Sequence, residues 1–193
     1  IPLACGESVA ALGQGTWMIG DDAAARAAEI AAIRRGIDLG LTLIDTAEMY
    51  GDGRSESLVG EAIAGRRDEV FLVSKVYPHN ASRKNMPRSC EASLRRLKVE
   101  AIDLYLLHWP GSVPIGETVE TFEALQRAGK IRHWGVSNLD LDAMRELWDT
   151  PGGGQAQVNQ VLYNLGERGI EWDLRPALQR HRAAVMAYSP FDQ

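Results

Sequence analysis

The chain has 193 residues, with 21 Lys and Arg against 26 Asp and Glu, a formal net charge of -5 and 45% hydrophobic residues. That composition is of an ordinary globular domain and excludes disorder, which needs low hydrophobicity with high net charge. The acidic balance argues against nucleic acid as a partner, and no apolar run approaches the roughly 18–20 residues that span a bilayer. Cys5 and Cys90 form no CxxC pair and read as reduced packing residues of a cytoplasmic protein. No charged-then-apolar leader opens the chain, so secretion is not expected. The histidines at 79, 108, 133 and 181 share no ligand spacing, so no metal is expected.

In chain order, Pro2–Ala4 and Ser8–Ala10 read as a short hairpin around Cys5-Gly6-Glu7, placed to plug the bottom of the fold. Leu12–Trp17 reads as a strand. Ala23–Leu39 reads as an amphipathic helix, with Ile30, Ile33 and Ile37 at spacings of three and four and Gly40 as its C-cap. The pattern then repeats: strand Thr42–Asp45 and helix Ser55–Ala64, strand Val70–Val76 and helix Arg88–Leu97. Strand Asp103–Trp109 precedes helix Thr118–Ala128, which Gly129 caps. Strand His133–Ser137 leads into helix Asp140–Trp148, with Asp140 as N-cap. Strand Gln157–Leu162, helix Ile170–His181 and strand Ala184–Tyr188 close the series. The pairs Arg34-Arg35, Arg66-Arg67 and Arg95-Arg96 read as scattered charges on helix faces.

Strands alternating with helices predict a parallel α/β sheet with right-handed crossovers. A doubly wound nucleotide fold needs GxGxxG after its first strand. Here Gly13-Gln-Gly15 is followed by Thr16 and Trp17, and the fingerprint fails. The uniform repeat fits a (β/α)8 TIM barrel better, in one domain over residues 1–193. It is incomplete, because seven strands and six helices are read where a barrel of about 250 residues has eight of each. On that size the polypeptide is expected to continue for about 80 residues past Gln193.

Four polar side chains break the apolar patterning. Asp45, Lys75 and His108 end three strands, and Tyr50 lies just past the first of these. In a parallel barrel those ends gather at one mouth, where chemistry is placed. A lysine ending a buried strand needs a counter-charge, and Asp45 is the candidate. One reading is a structural ion pair with His108 hydrogen-bonded nearby. The other is a site for carbonyl reduction. The Lys75 ammonium, held by Asp45, lowers the Tyr50 phenol from its ordinary pKa of about 10. Tyr50 then serves as general acid and His108 orients the carbonyl. Four such groups at one face favour the second.

Seven segments carry a resemblance: LGQGTW (12–17), LIDTAEMYG (43–51), LVSKV (72–76), DLYLLHWP (103–110), KIRHWGVSN (130–138), VNQVLYN (158–164) and AYSP (187–190). In that order and spacing, over essentially the whole chain, they resemble the aldo-keto reductases. The details of GLTLIDTAEMY and EASLRRLKVEAIDLYLLHW look most like the bacterial methylglyoxal-reductase-type branch.

The resemblance implies that Asp45, Tyr50, Lys75 and His108 are the family's catalytic tetrad. It implies that Ser137, Asn138 and Gln160 hold a nicotinamide carboxamide, that Tyr188 stacks on the nicotinamide ring and that Ser189 meets a phosphate. Trp17 and Trp109 become walls of the carbonyl pocket. Taken alone, Ser137-Asn138 could be a turn with an N-cap, Tyr188 a packing aromatic and Gln160 an ordinary polar group of the mouth. NADPH is the implied cofactor, with NADH left open because the family's 2′-phosphate grip lies after strand seven. Gly40-Leu-Thr departs from the glycine–aromatic–arginine that many members carry there. The implied function is reduction of small aldehydes and ketones by a monomer, 2-oxoaldehydes such as methylglyoxal among them. A cofactor-binding regulatory subunit of the same fold, and an inactive shortened chain, are the alternatives.

Overall fold

The structure is a computed structural model that describes residues 1–192. Its strands are β1 (Gly13–Gly15), β2 (Leu43–Asp45), β3 (Phe71–Val76), β4 (Ile102–Leu107), β5 (Ile131–Ser137), β6 (Val158–Leu162) and β7 (Ala184–Tyr188). Between them run α1 (Arg26–Asp38), α2 (Arg54–Ala62), α3 (Met86–Leu97), α4 (Ile115–Arg127), α5 (Leu141–Asp149) and α6 (Leu174–Arg180). Among the described residues the seven strands form one sheet in sequence order, each parallel to the next.

Side-chain alternation separates two apolar layers. Ile44, Leu72, Val76, Tyr105 and Trp134 face outward and pack with the helices. Leu43, Val73, Leu104, Leu106 and Val158 face inward and pack with one another and with Leu3. Residues of β2, β4 and β6 can share one cluster only if the sheet curls on itself, so the sheet is a nearly closed barrel. The N-terminal hairpin is present as the antiparallel bridge Pro2–Ser8. It seats Leu3 in the inner cluster, as a plug at the bottom.

Several readings shift. β1 is shorter than Leu12–Trp17, because Leu12 and Trp17 are exposed and only the middle pairs with β2. A Cβ on Gly13 would lie 2.6 Å from Leu43 Cδ2, so that pairing needs glycine. α6 starts at Leu174, where Asp173 accepts from the Leu174 amide; Gly169–Glu171 before it is a separate 3-10 turn. Cys5 is exposed, and only Cys90 is a packing cysteine. The arginine pairs are not simply solvated. Arg34 donates to the carbonyls of Glu61 and Ala62, Arg67 pairs with buried Asp103, and Arg96 pairs with buried Glu56.

Candidate active site

The inward register that places Leu43 and Val73 in the barrel core carries Asp45 and Lys75 to its mouth. His108 follows Leu107 there, its amide continuing the ladder onto the Val76 carbonyl. Tyr50 sits on the 3-10 turn Tyr50–Gly53 after β2. The turn needs left-handed backbone at Gly51 and Gly53 (φ 56° and 85°), conformations that glycine adopts without strain. A Cβ on Gly51 would also lie 2.5 Å from Asp21 Oδ1.

The four residues meet. Lys75 is fully buried, and its ammonium spends all three protons. It donates to Asp45 Oδ2 at 2.7 Å, to the Thr46 carbonyl at 2.9 Å and to the Tyr50 hydroxyl at 3.2 Å. Burial pushes the Lys75 pKa down, but the charges of Asp45 and Tyr50 outweigh it, and the net shift is upward. Lys75 is therefore an ammonium at neutral pH. Tyr50 corrects an expectation. Lys75 does pull its pKa down, but burial of the phenol pushes up harder and Asp45 adds to that, so the net shift is upward. The sequence shows the charge beside the phenol but not the water excluded from around it.

His108 is pushed down to about 3 by burial, with the Lys75 charge adding, so its ring is neutral. Its Nδ1 is buried without a partner among the described residues. A bare acceptor costs less there than a stranded N–H, which puts the proton on Nε2. The ring meets Tyr50 edge-on at 5.9 Å and lies 4.7 Å from Trp109.

The residues assigned to the nicotinamide form a second group beside the first. Ser137 Oγ donates to the Gln160 carbonyl at 2.9 Å. Asn138 Nδ2 donates to the His108 carbonyl at 3.1 Å, and Asn138 Oδ1 accepts from the Tyr188 hydroxyl at 2.9 Å. Asn138 holds a left-handed φ of 60°, a conformation that asparagine adopts more readily than most non-glycine residues. Neither Ser137 nor Asn138 caps α5. Asp140 does, accepting from the Ala143 amide. Gln160 Nε2 donates to Asp45 Oδ1 at 3.0 Å, joining the two groups. Ser189 follows β7 at φ 47°. Trp109 is half-buried beside His108, whereas Trp17 stands 57% exposed after β1.

A nicotinamide fits these groups. The Gln160 Oε1 accepts no hydrogen bond among the described residues and matches a carboxamide N–H, and Tyr188 is an exposed aromatic face at the end of β7.

Sequence reasoning missed the support behind Asp45. Thr16, Thr46 and Ser55 are fully buried and linked through their hydroxyls, with Thr16 Oγ1 also donating to the Asp45 carbonyl. It also missed Glu56, fully buried at the start of α2. Glu56 accepts from Ser74 Oγ at 2.6 Å and from Arg96 Nε at 2.6 Å. The run GRSES after the tyrosine loop, polar where a helix turns inward, was the signal available.

The pattern described as "Aldo/keto reductase family" matches residues 11–193. Methylglyoxal reductase YeaE of Escherichia coli is 60% identical over 186 residues, covering 96% of this chain and 66% of that protein. Aldo-keto reductase YhdN of Bacillus subtilis is 39% identical, covering 92% of this chain and 57% of its own length. An aldo/keto reductase from Klebsiella pneumoniae, crystallised with NADP and acetate, superposes with a TM-score of 0.95 at 56% identity. That match covers 97% of this chain and 66% of the other. The chain thus spans between 57% and 66% of the length of these relatives.

Proposed function

The chain belongs to the aldo/keto reductase family, and on that premise we propose that it reduces small aldehydes and ketones to alcohols with NADPH, 2-oxoaldehydes such as methylglyoxal among them. One observation carries the reading. The Tyr50 hydroxyl accepts from Lys75, whose other two protons are committed to Asp45 and Thr46. Tyr50's own proton goes to no acceptor among the described residues, and it is free for a substrate oxygen.

Bound NADPH supplies the hydride that adds to the carbonyl carbon. His108 holds the carbonyl oxygen by donating from Nε2 and, being neutral, keeps that proton itself. Tyr50, raised above an ordinary phenol, is fully protonated at neutral pH. It gives its proton to the oxygen as charge develops there, forming the O–H of the alcohol. Lys75 then faces a phenolate, and the attraction that Tyr50 feels only weakly as a phenol stabilises it at that moment. Ser137, Asn138 and Gln160 would hold the carboxamide, Tyr188 would cover the nicotinamide ring, and Ser189 would meet a phosphate. Trp109 and Trp17 would wall the substrate.

The name of the 60% identical relative supports methylglyoxal as substrate, and the NADP-bound neighbour supports the cofactor. The test is loss of NADPH absorbance with methylglyoxal and a panel of small aldehydes, with one alcohol formed per dinucleotide oxidised. Tight dinucleotide binding without turnover on any of them would overturn the reading in favour of a cofactor-binding subunit.

A further inference from the structure

Gln160 and Asp45 lie on β6 and β2, strands separated in the sheet by three others, yet their side chains meet at 3.0 Å across the barrel mouth. The contact divides Asp45. Its Oδ2 holds Lys75 and its Oδ1 takes the Gln160 amide. Gln160 is itself firmly placed. Only 4% of it is exposed, and its carbonyl accepts both the Asn138 amide at 2.8 Å and Ser137 Oγ at 2.9 Å. Its Nε2 also lies 3.3 Å from Met186 Sδ. Among the described residues Asp45 has little else to orient its carboxylate, because the Thr16 contacts reach only its backbone carbonyl.

We propose that Gln160 is a positioning residue for proton transfer: its amide fixes the Asp45 carboxylate, and through Lys75 the place of the Tyr50 hydroxyl. A carboxylate free to turn would leave Lys75 with a mobile partner, and the Lys75–Tyr50 bond is already the longest of the three that the ammonium makes. The Oε1 of the same amide remains for the carboxamide, so one side chain ties the cofactor's seat to the proton donor. The proposal rests on the reductase reading and deepens it.

The test compares wild type with Gln160→Leu, Gln160→Glu, Asp45→Asn and the Asp45→Asn/Gln160→Leu double variant. Turnover at saturating NADPH, its pH profile, dinucleotide affinity by tryptophan fluorescence and the urea midpoint of the unliganded protein are measured. Gln160→Leu is expected to lower kcat about tenfold or more, as a small misplacement of reacting groups does. It should also move the alkaline limb of reduction to higher pH. In the Asp45→Asn background the same change should add nothing to the loss of kcat, because the route through Asp45 is already cut. Gln160→Glu keeps an acceptor for the carboxamide and should bind dinucleotide near normally. Its turnover should recover as pH falls, when the protonated Glu side chain can donate to Asp45 again.

Gln160→Leu weakens dinucleotide binding on either account, but a residue that only grips the cofactor would instead leave the pH profile unmoved and add its effect in full to Asp45→Asn. That pattern overturns the proposal. If wild type turns over no carbonyl, the reductase reading falls by itself. Additive urea midpoints in the double variant would then still overturn the anchoring of Asp45, and non-additive midpoints would uphold it.

Discussion

Replacing Lys75 by Met leaves the hydrocarbon stem in place and removes only the ammonium, so packing changes little. Three hydrogen bonds are lost at once, to Asp45, Thr46 and Tyr50. Breaking a buried ion pair from one side costs about 3–5 kcal/mol. Asp45 keeps its Gln160 donor and its side chain is 15% exposed, which puts the cost at the lower end, about 3 kcal/mol. For a chain of this size that is a fall of about 6–12 °C in Tm. The same change removes the influence that lowers the Tyr50 pKa and leaves burial and Asp45, which raise it. The alkaline limb of carbonyl reduction should move up, and kcat should fall by about 10²-fold or more as the phenolate loses its counter-charge. Urea and thermal unfolding measure the first effect, and a pH–rate profile at saturating NADPH the second. Unchanged unfolding together with an unchanged profile would mean that Lys75 does not occupy the buried position described.

His108, pushed down from 6.5 to about 3, should show a ring-proton NMR signal that does not titrate between pH 5 and 8. Its folded pKa lies below its unfolded value, so the unfolded chain binds more protons between those limits. The stability tied to the neutral ring is complete above about pH 6.5 and is lost as pH falls toward 3. It amounts to at most about 5 kcal/mol over those 3.5 units, and unfolding measured across that window checks it. A thiol reagent should react rapidly with exposed Cys5 alone, Cys90 being buried and pushed up to about 12, and with two thiols after denaturation. Glu56→Ala should cost about 3 kcal/mol in urea unfolding by stranding Arg96 and Ser74, while turnover per folded molecule stays near normal.

The strands were legible because a buried parallel strand needs an apolar run, and EVFLVSK and IDLYLLH have one that ends in a polar residue. The same break in pattern marks Asp45, Lys75 and His108 as site candidates independently of any family likeness. Element ends were less legible. Whether Leu12 or Trp17 pairs depends on how closely Gly13 approaches Leu43, which no local pattern encodes. The net pKa shift of Tyr50 has the opposite sign to the one its charged neighbour suggests, since a neighbouring charge is visible in sequence and desolvation is not. The Gln160–Asp45 bond joins residues 115 positions apart, and nothing local marks it. The cofactor residues came from the resemblance alone, because serine, asparagine and glutamine at strand ends have many ordinary uses.

If Tyr50 delivers the proton, NADPH oxidation with methylglyoxal should separate wild type from Tyr50→Phe, measured alongside dinucleotide affinity by fluorescence. Phe keeps the ring and its edge-on contact with His108 and removes only the hydroxyl. A loss of about 10²–10⁴ in kcat is expected, with affinity for the dinucleotide nearly unchanged. Near-normal turnover by Tyr50→Phe would remove Tyr50 from the role of proton donor.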